Sequence, residues 1–278
     1  MKISVSSYSF SRQRPDQDPA EFIAMAKELG FAAIEYVDSD VKNPQRLREE
    51  SERLGLPVVC YCVGADFLQN SPRYEFDRLR KQVDIAEALG CKMMRHDASE
   101  GYDGPEARRN SFERALPVLA EGCRMVTEYA AERGVATMVE NHGQFCQDSG
   151  RVASLIGAVN HPNFGALADI GNFVCADEDP ARAVGILAPM ARHVHIKDFH
   201  CKPGAGDDPG EGWFRSRGGN FLRGAIVGHG NIPVRQCVDT LGRAGYDGYA
   251  SIEFEGMEDC VQALRIGKEN LEKMITRA

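Results

Sequence analysis

The sequence predicts an α/β chain folded as one (β/α)8 TIM barrel over residues 1–278, and three observations carry that expectation. Short apolar runs alternate eight times with helix-length amphipathic stretches, the pattern of βα units built on a parallel sheet. Five of those helical stretches stop at a glycine just before the next apolar run. Four apolar runs in the C-terminal half end in an acidic or imidazole side chain, and the exits of barrel strands are where this fold keeps its chemistry.

Taken in order, strands are expected at Ile3–Tyr8, Ala33–Val37, Pro57–Val63, Cys91–Met94, Val135–Val139, Phe164–Ala168, Val194–Ile196 and Tyr249–Ile252. Helices are expected between and after them, at Asp18–Leu29, Pro44–Leu54, Arg73–Leu89, Pro105–Arg133, Ser149–Val159, Asp179–Leu187, Pro233–Ala244 and Met257–Thr276. The stops are Gly30, Gly55, Gly90, Gly134 and Gly245; glycine past the last turn supplies the left-handed residue that ends a helix. An open doubly wound sheet is the alternative topology, but no Gly-x-Gly-x-x-Gly turn follows the first strand. One stretch breaks the repeat. Residues 198–230 form a long, Gly-rich insertion that carries Trp213, the only tryptophan, with Arg215, Arg217 and Arg223. Loops of this length inside compact domains are usually functional or disordered, so the insertion is expected to act as a lid, with a solvated loop as the alternative.

Bulk properties narrow the function classes. No run approaches the ~18 apolar residues needed to cross a bilayer, so no membrane partner is expected. Met1-Lys2-Ile3-Ser4-Val5-Ser6 enters a strand-like alternation directly, without the apolar core of a signal peptide. The nine cysteines are scattered, and Cys60-Tyr61-Cys62 is not a CxxC metal or redox motif. Free thiols in a reducing cytoplasm are the resulting expectation. The net charge of −8 leaves no basic footprint for nucleic acid, whereas a small polar substrate is compatible with it. Apolar surface is sufficient for a homodimer or tetramer, without indicating which face.

The four strand ends are Glu140, Asp169, His195 and Glu253. Side chains alternate along a strand, so Glu253 shares a face with Ser251 and Glu255, and His195 shares one with His193 and Lys197. Singly, each would suit an ordinary salt bridge or cap. Together, three buried carboxylates need a cation to be tolerated. Carboxylate-rich ligation with one imidazole suits one divalent ion, Mn2+ or Mg2+ first and Co2+ or Zn2+ after them. Arg95 and His96 end the fourth strand and are expected to line the same mouth. Glu35 ends the second strand, as a hydroxyl-binding residue or, preferably, a solvated one. Tyr8 and Trp213 are expected to pack on a substrate ring or in the core. An unperturbed imidazole titrates near neutrality, so His142 and His229 are candidate acid–base groups, with loop hydrogen bonding as the alternative for each. Lys197 is expected either to hold a substrate oxygen or to pair with Asp198.

Five segments then carry a resemblance: Val139-Glu140-Asn141-His142-Gly143, Ala168-Asp169-Ile170-Gly171-Asn172-Phe173, His193-Val194-His195-Ile196-Lys197-Asp198, Gly228-His229-Gly230, and Gly245-Tyr246-Asp247-Gly248 leading to Ile252-Glu253-Phe254-Glu255-Gly256. Through them the chain resembles the xylose isomerase-like TIM-barrel superfamily, in its sugar phosphate isomerase/epimerase branch. The resemblance implies that Glu140, Asp169, His195 and Glu253 hold the metal. It also implies that Glu140 and Glu253 remove and return a proton beside a substrate carbonyl, through an enediolate. A carboxylate bound to a divalent cation is a weakened base, so His142 and His229 stand as second candidates. Asn172 occupies a position where several relatives carry histidine; it can bind a hydroxyl but cannot replace that imidazole as a base.

The expected activity is therefore a metal-dependent isomerase or epimerase acting on a small polyhydroxylated carbonyl compound. A lyase is the alternative, an inosose dehydratase or a β-eliminating enzyme on a keto-sugar, using the same site. A non-enzymatic binding barrel would be favoured only without Glu140 or Glu253. The related apurinic endonucleases use a histidine-rich zinc cluster, for which Asn172, Tyr61 and Cys62 provide no imidazole.

Overall fold

The computed structural model describes residues 1–108 and 110–275. Eight strands close into a barrel: β1 (Lys2–Ser6), β2 (Ile34–Val37), β3 (Val58–Val63), β4 (Met93–His96), β5 (Ala136–Glu140), β6 (Phe164–Asp169), β7 (Ala191–Ile196) and, last in the chain, β11 (Tyr249–Ile252). All neighbouring pairs are parallel, and β1 closes the ring by pairing with β11, Lys2 opposite Tyr249 and Val5 opposite Ile252. Around them run α2 (Pro19–Glu28), α3 (Pro44–Leu54), α4 (Pro72–Ala88), α5 (Phe112–Ala131), α6 (Ser149–Val159), α7 (Pro180–Leu187), α8 (Val234–Arg243) and α9 (Cys260–Ile275); a single extra turn, α1 (Tyr8–Ser11), follows β1.

Local chemistry explains these boundaries. Asp18, Asn43, Ser71 and Asp179 each accept a backbone N–H at a helix start, with proline as the first helical residue, where its missing N–H costs nothing. Gly30, Gly55, Gly90, Gly134 and Gly245 all have positive φ, as their expected role in stopping helices requires. The helix expected over Pro105–Arg133 begins later. A separate short turn covers Gly104–Arg108, and α5 starts at Phe112 behind Ser111. Thr276, the expected end of the last helix, lies outside the described residues.

Two cores result. The larger lies between barrel and helices and is predominantly apolar, with Phe22, Leu79, Val126, Leu155, Val184 and Leu264 fully buried. The smaller lies inside the barrel, where Cys60, Cys62, Met138 and Leu167 pack beneath polar residues. Ser4 and Ser251 share a hydrogen bond of 2.7 Å in this lumen. Among the described residues no helix is long and apolar enough to cross a membrane.

The 198–230 insertion is folded. It forms an antiparallel sheet of β8 (Asp198–Lys202), β9 (Phe214–Arg215) and β10 (Phe221–Ala225), in the order β8-β10-β9. Asp177 gathers its tip, accepting from Ser216 Oγ at 2.6 Å, from Asn220 Nδ2 at 2.8 Å and from the Gly218 N–H. Arg217 reaches Asp148 at 2.7 Å. At its root, Asp198 accepts the backbone N–H of Phe199, Gly228, Gly230 and Ile232 at 2.9–3.1 Å. A Cβ on Gly230 would stand 2.1 Å from Asp198 Oδ1, so this turn accepts no larger residue there without moving. Asp198 is thus committed to backbone and does not pair with Lys197.

Candidate metal centre and cavity

Strand alternation sends one side chain from each of four strand ends into the same space. Ligand atoms of Glu140, Asp169, His195 and Glu253 all lie within 4.8 Å of one another. From His195 Nδ1 the distances are 3.5 Å to Glu140 Oε1, 3.6 Å to Asp169 Oδ2 and 3.7 Å to Glu253 Oε2. His195 Nδ1 is buried without a hydrogen bond, a costly state for a polar atom, and Asp169 Oδ2, also without one, faces only the Lys197 ammonium at 3.2 Å. The other Asp169 oxygen is satisfied, accepting from the N–H groups of Gly171 and Asn172 at 2.8 and 3.0 Å. Three carboxylate oxygens and an unpartnered imidazole nitrogen, all converging, are a donor set that suits a hard divalent cation.

Glu35 explains why His195 presents Nδ1. It accepts from His195 Nε2 at 2.9 Å and from His193 Nε2 at 2.8 Å, and all three side chains are buried. A carboxylate on the far nitrogen of a ligating histidine fixes its tautomer and ring orientation. Burial opposes ionisation of Glu35, but the two imidazoles hold its carboxyl well below the ordinary range. The sequence reading of Glu35 as a solvated or hydroxyl-binding residue is therefore corrected: it lies inside the lumen, behind the donor set.

Two cations brace the cluster. Arg95 donates through Nε to Glu140 Oε2 at 2.6 Å and reaches Asp97 Oδ1 at 3.1 Å. Lys197 Nζ lies 2.6 Å from Glu253, 2.9 Å from Glu255 and 3.2 Å from Asp169. Asn172 links the two halves, donating to Glu140 Oε1 at 3.1 Å and accepting from Lys197 at 3.2 Å. The consequence is an asymmetry. Burial disfavours the charged form of Glu140, yet Arg95 and His195 hold it well below the ordinary carboxylate range. Glu253 is pushed up, first by burial and then by the Glu255 and Glu140 charges, against the pull of Lys197 and His195. Oppositely shifted carboxylates in one site mark different chemical roles.

A cavity of about 320 Å3 opens over this cluster, lined by Glu140, His195, Lys197, Glu253 and Arg95 from the inner side and by Tyr8, Asp38, Ser39, His142 and Glu255 toward the rim. His142 Nδ1 lies 3.1 Å from Asp97 Oδ1. Desolvation opposes its protonation, but the hydrogen bond and charge of Asp97 raise its pKa on balance.

Three sequence candidates lie elsewhere. His96 faces the outer core, 6.0 Å in ring-centroid distance from both Phe67 and Phe164, because it alternates with the inward Arg95. Burial lowers it to about 4. His229 is exposed in the turn after β10 and does not line the cavity; the Gly-His-Gly segment serves the Asp198 clamp through its glycine amides. Trp213 sits on the side sheet under Lys202 and Arg223, 4.8 and 5.6 Å from its ring centroid, and is also absent from the lining. Asp97 is a site residue the sequence reading did not assign, and Glu35 one to which it gave the wrong role. For Asp97 the signal was available, two residues beyond Arg95 on the same face.

Comparison with known proteins identifies the family of the fold. Residues 23–276 match the family described as a xylose isomerase-like TIM barrel. A protein named inosose dehydratase from Clostridium beijerinckii is 22% identical over 241 residues, 81% of this chain and 78% of its own. The solved structure of 3-keto-D-glucoside 4-epimerase from E. coli superposes with a TM-score of 0.74 at 18% identity, covering 98% of this chain and 99% of that one. A probable 3-DHS dehydratase from Bacillus anthracis gives the same TM-score, identity and coverage. At such identities the solved structures speak to the fold.

Proposed function

The chain belongs to the xylose isomerase-like TIM-barrel family, and from that premise we propose that it is a divalent-metal-dependent isomerase or epimerase of a small keto-sugar. The observation that carries this reading is the convergence of Glu140, Asp169, His195 and Glu253, with the Nδ1 of His195 left without a hydrogen bond among them. A divalent ion held there, Mn2+ first on the donor chemistry, would polarise a substrate carbonyl and acidify the neighbouring C–H.

The chain's own groups supply the proton transfers. Glu253, which lines the cavity and is free of the arginine clasp that holds Glu140, takes the proton from the carbon beside the carbonyl. Lys197, 2.6 Å from Glu253, is released from that pairing as Glu253 takes up the proton and only then offsets the charge that develops on substrate oxygen. Glu140 is clasped by Arg95 and held ionised, which suits a ligand better than a proton shuttle. We therefore assign the second proton-handling role to His142. Asp97 holds its Nδ1, leaving Nε2 for the substrate. A dehydratase is the second reading, favoured by the same Asp97–His142 pair and by the inosose dehydratases among the relatives. In that case His142 would protonate a departing hydroxyl instead of returning a proton to carbon.

The deciding experiment is proton exchange. The Mn2+-loaded protein is incubated in D2O with ketoses, keto-glycosides and inososes and followed by NMR. Metal-dependent deuterium at the carbon beside the carbonyl is the expected result, and the products separate rearrangement from loss of water. Failure of the protein to bind any divalent ion, or binding that survives Asp169→Asn with His195→Ala unchanged, would overturn the reading.

A further inference from the structure

The cations of the cavity are all spoken for. Arg95 spans an inner carboxylate, Glu140, and an outer one, Asp97. Lys197 spans inner Glu253 and outer Glu255. Either cation could turn to an anionic substrate only by giving up its outer carboxylate, part-buried Asp97 or Glu255, and leaving that charge without its partner costs stability. The nearby arginines are engaged outside the lining. Arg12 donates to the backbone carbonyls of Glu255 and Gly256, Arg217 pairs with Asp148, and Arg215 lies over the Phe221 ring at 4.0 Å. The rim, by contrast, offers acceptors. Asp38 is exposed on the turn after β2, lines the cavity, and makes no side-chain hydrogen bond or ion pair among the described residues. The lining carries four carboxylates against two permanent cations, so one divalent ion brings it only to neutrality, with Asp97 and Asp169 behind it.

We propose that this site selects an uncharged polyhydroxylated substrate and rejects its phosphorylated or carboxylated counterparts. Glu255 and Asp97 set that selectivity by occupying the two cations, and Asp38 accepts a substrate hydroxyl. The inference rests on the proton-transfer reading above. Phosphate recognition ordinarily uses free guanidinium forks or unpaired backbone N–H groups; here an incoming dianion meets two rim carboxylates, Asp38 and Glu255, instead, and like charges brought together cost several kcal/mol. Sugar hydroxyls, being donors, find acceptors at the same places.

The test compares matched pairs, each free ketose or keto-glycoside against its phosphate ester and its uronic acid, by metal-dependent deuterium exchange on the Mn2+-loaded protein. The neutral member is expected to lead in kcat/KM by roughly 100-fold. Glu255→Gln, which releases one hold on Lys197, should narrow that ratio about tenfold by raising turnover of the anionic member; a Glu255 that served structure alone would lower both members equally. Inorganic phosphate is a probe independent of substrate identity and should show no saturable sub-millimolar binding. An anionic member that exchanges as fast as its neutral partner, or tight phosphate binding, would overturn the selectivity and leave the proton chemistry standing. Exchange with no member of any pair, metal bound, would remove the proton chemistry itself and this inference with it.

Discussion

The inside and the outside of this barrel are built on opposite principles from the same strands. Outward residues meet the helices in a dry core of Leu, Val, Ile and Phe. Inward residues form a stack of serine, thiol, imidazole and carboxylate groups that ends in the cavity. The shell gains from apolar area removed from water; the lumen has little of that to gain and satisfies its buried charges by pairing. Stability therefore resides mainly in the shell and chemistry in the lumen, and the two should respond to mutation independently.

The sharpest break in that division is Glu253→Gln. It should lower turnover by about 10²–10⁴-fold, the range for a lost proton carrier, with the thermal midpoint little changed. Unaltered exchange kinetics in D2O would remove Glu253 from the chemistry. The complementary change is Leu155→Ala in the shell, at a fully buried position. It should cost about 2–5 kcal/mol in denaturant unfolding while leaving divalent-metal affinity untouched.

His96 gives the shell a pH signature. Burial lowers it to about 4 from its ordinary 6.5, so between those values the unfolded chain binds a proton that the folded chain does not. Its contribution is fully present above pH 6.5 and is lost as pH falls toward 4, by up to about 3 kcal/mol. His96→Gln should flatten the slope of urea midpoints across that window, and an unchanged slope would assign it to other groups. Glu35→Gln tests the lumen at one remove from the ligands. Metal affinity measured by calorimetry should weaken about 10–100-fold, as for other partners of ligating histidines. The smallest effect is expected from His229→Ala, within about twofold on turnover because the residue is exposed outside the cavity.

The same division governs what the sequence made legible. The shell writes itself as apolar runs and the helix stops as glycines, so strand and helix order follow from residue type. The four donors were readable because each closes a strand where packing gives a charge no purpose. Glu35 was not, because an acid one turn deeper in the lumen looks like an acid at the rim: only closure of the barrel brings it under His195. His96 misled for a related reason, since the fourth strand extends to His96 and alternation turns that residue outward. The side sheet escaped because its strands, two to five residues long, are too short to show a period. In Gly228-His229-Gly230 the imidazole drew attention, while the amides carry the structure.

Those amides also set how the insertion moves. Four backbone N–H groups, from both ends of the side sheet, converge on the single carboxylate of Asp198, the residue that immediately follows Lys197 in the chain. Amide hydrogen exchange should consequently run slowly at Gly228, Gly230 and Ile232, although this turn is partly open to solvent, and quickly at Asp207 and Glu211 in the span between β8 and β9. The breathing of the segment then belongs to its far reach, and the rim of the barrel beneath it stays still.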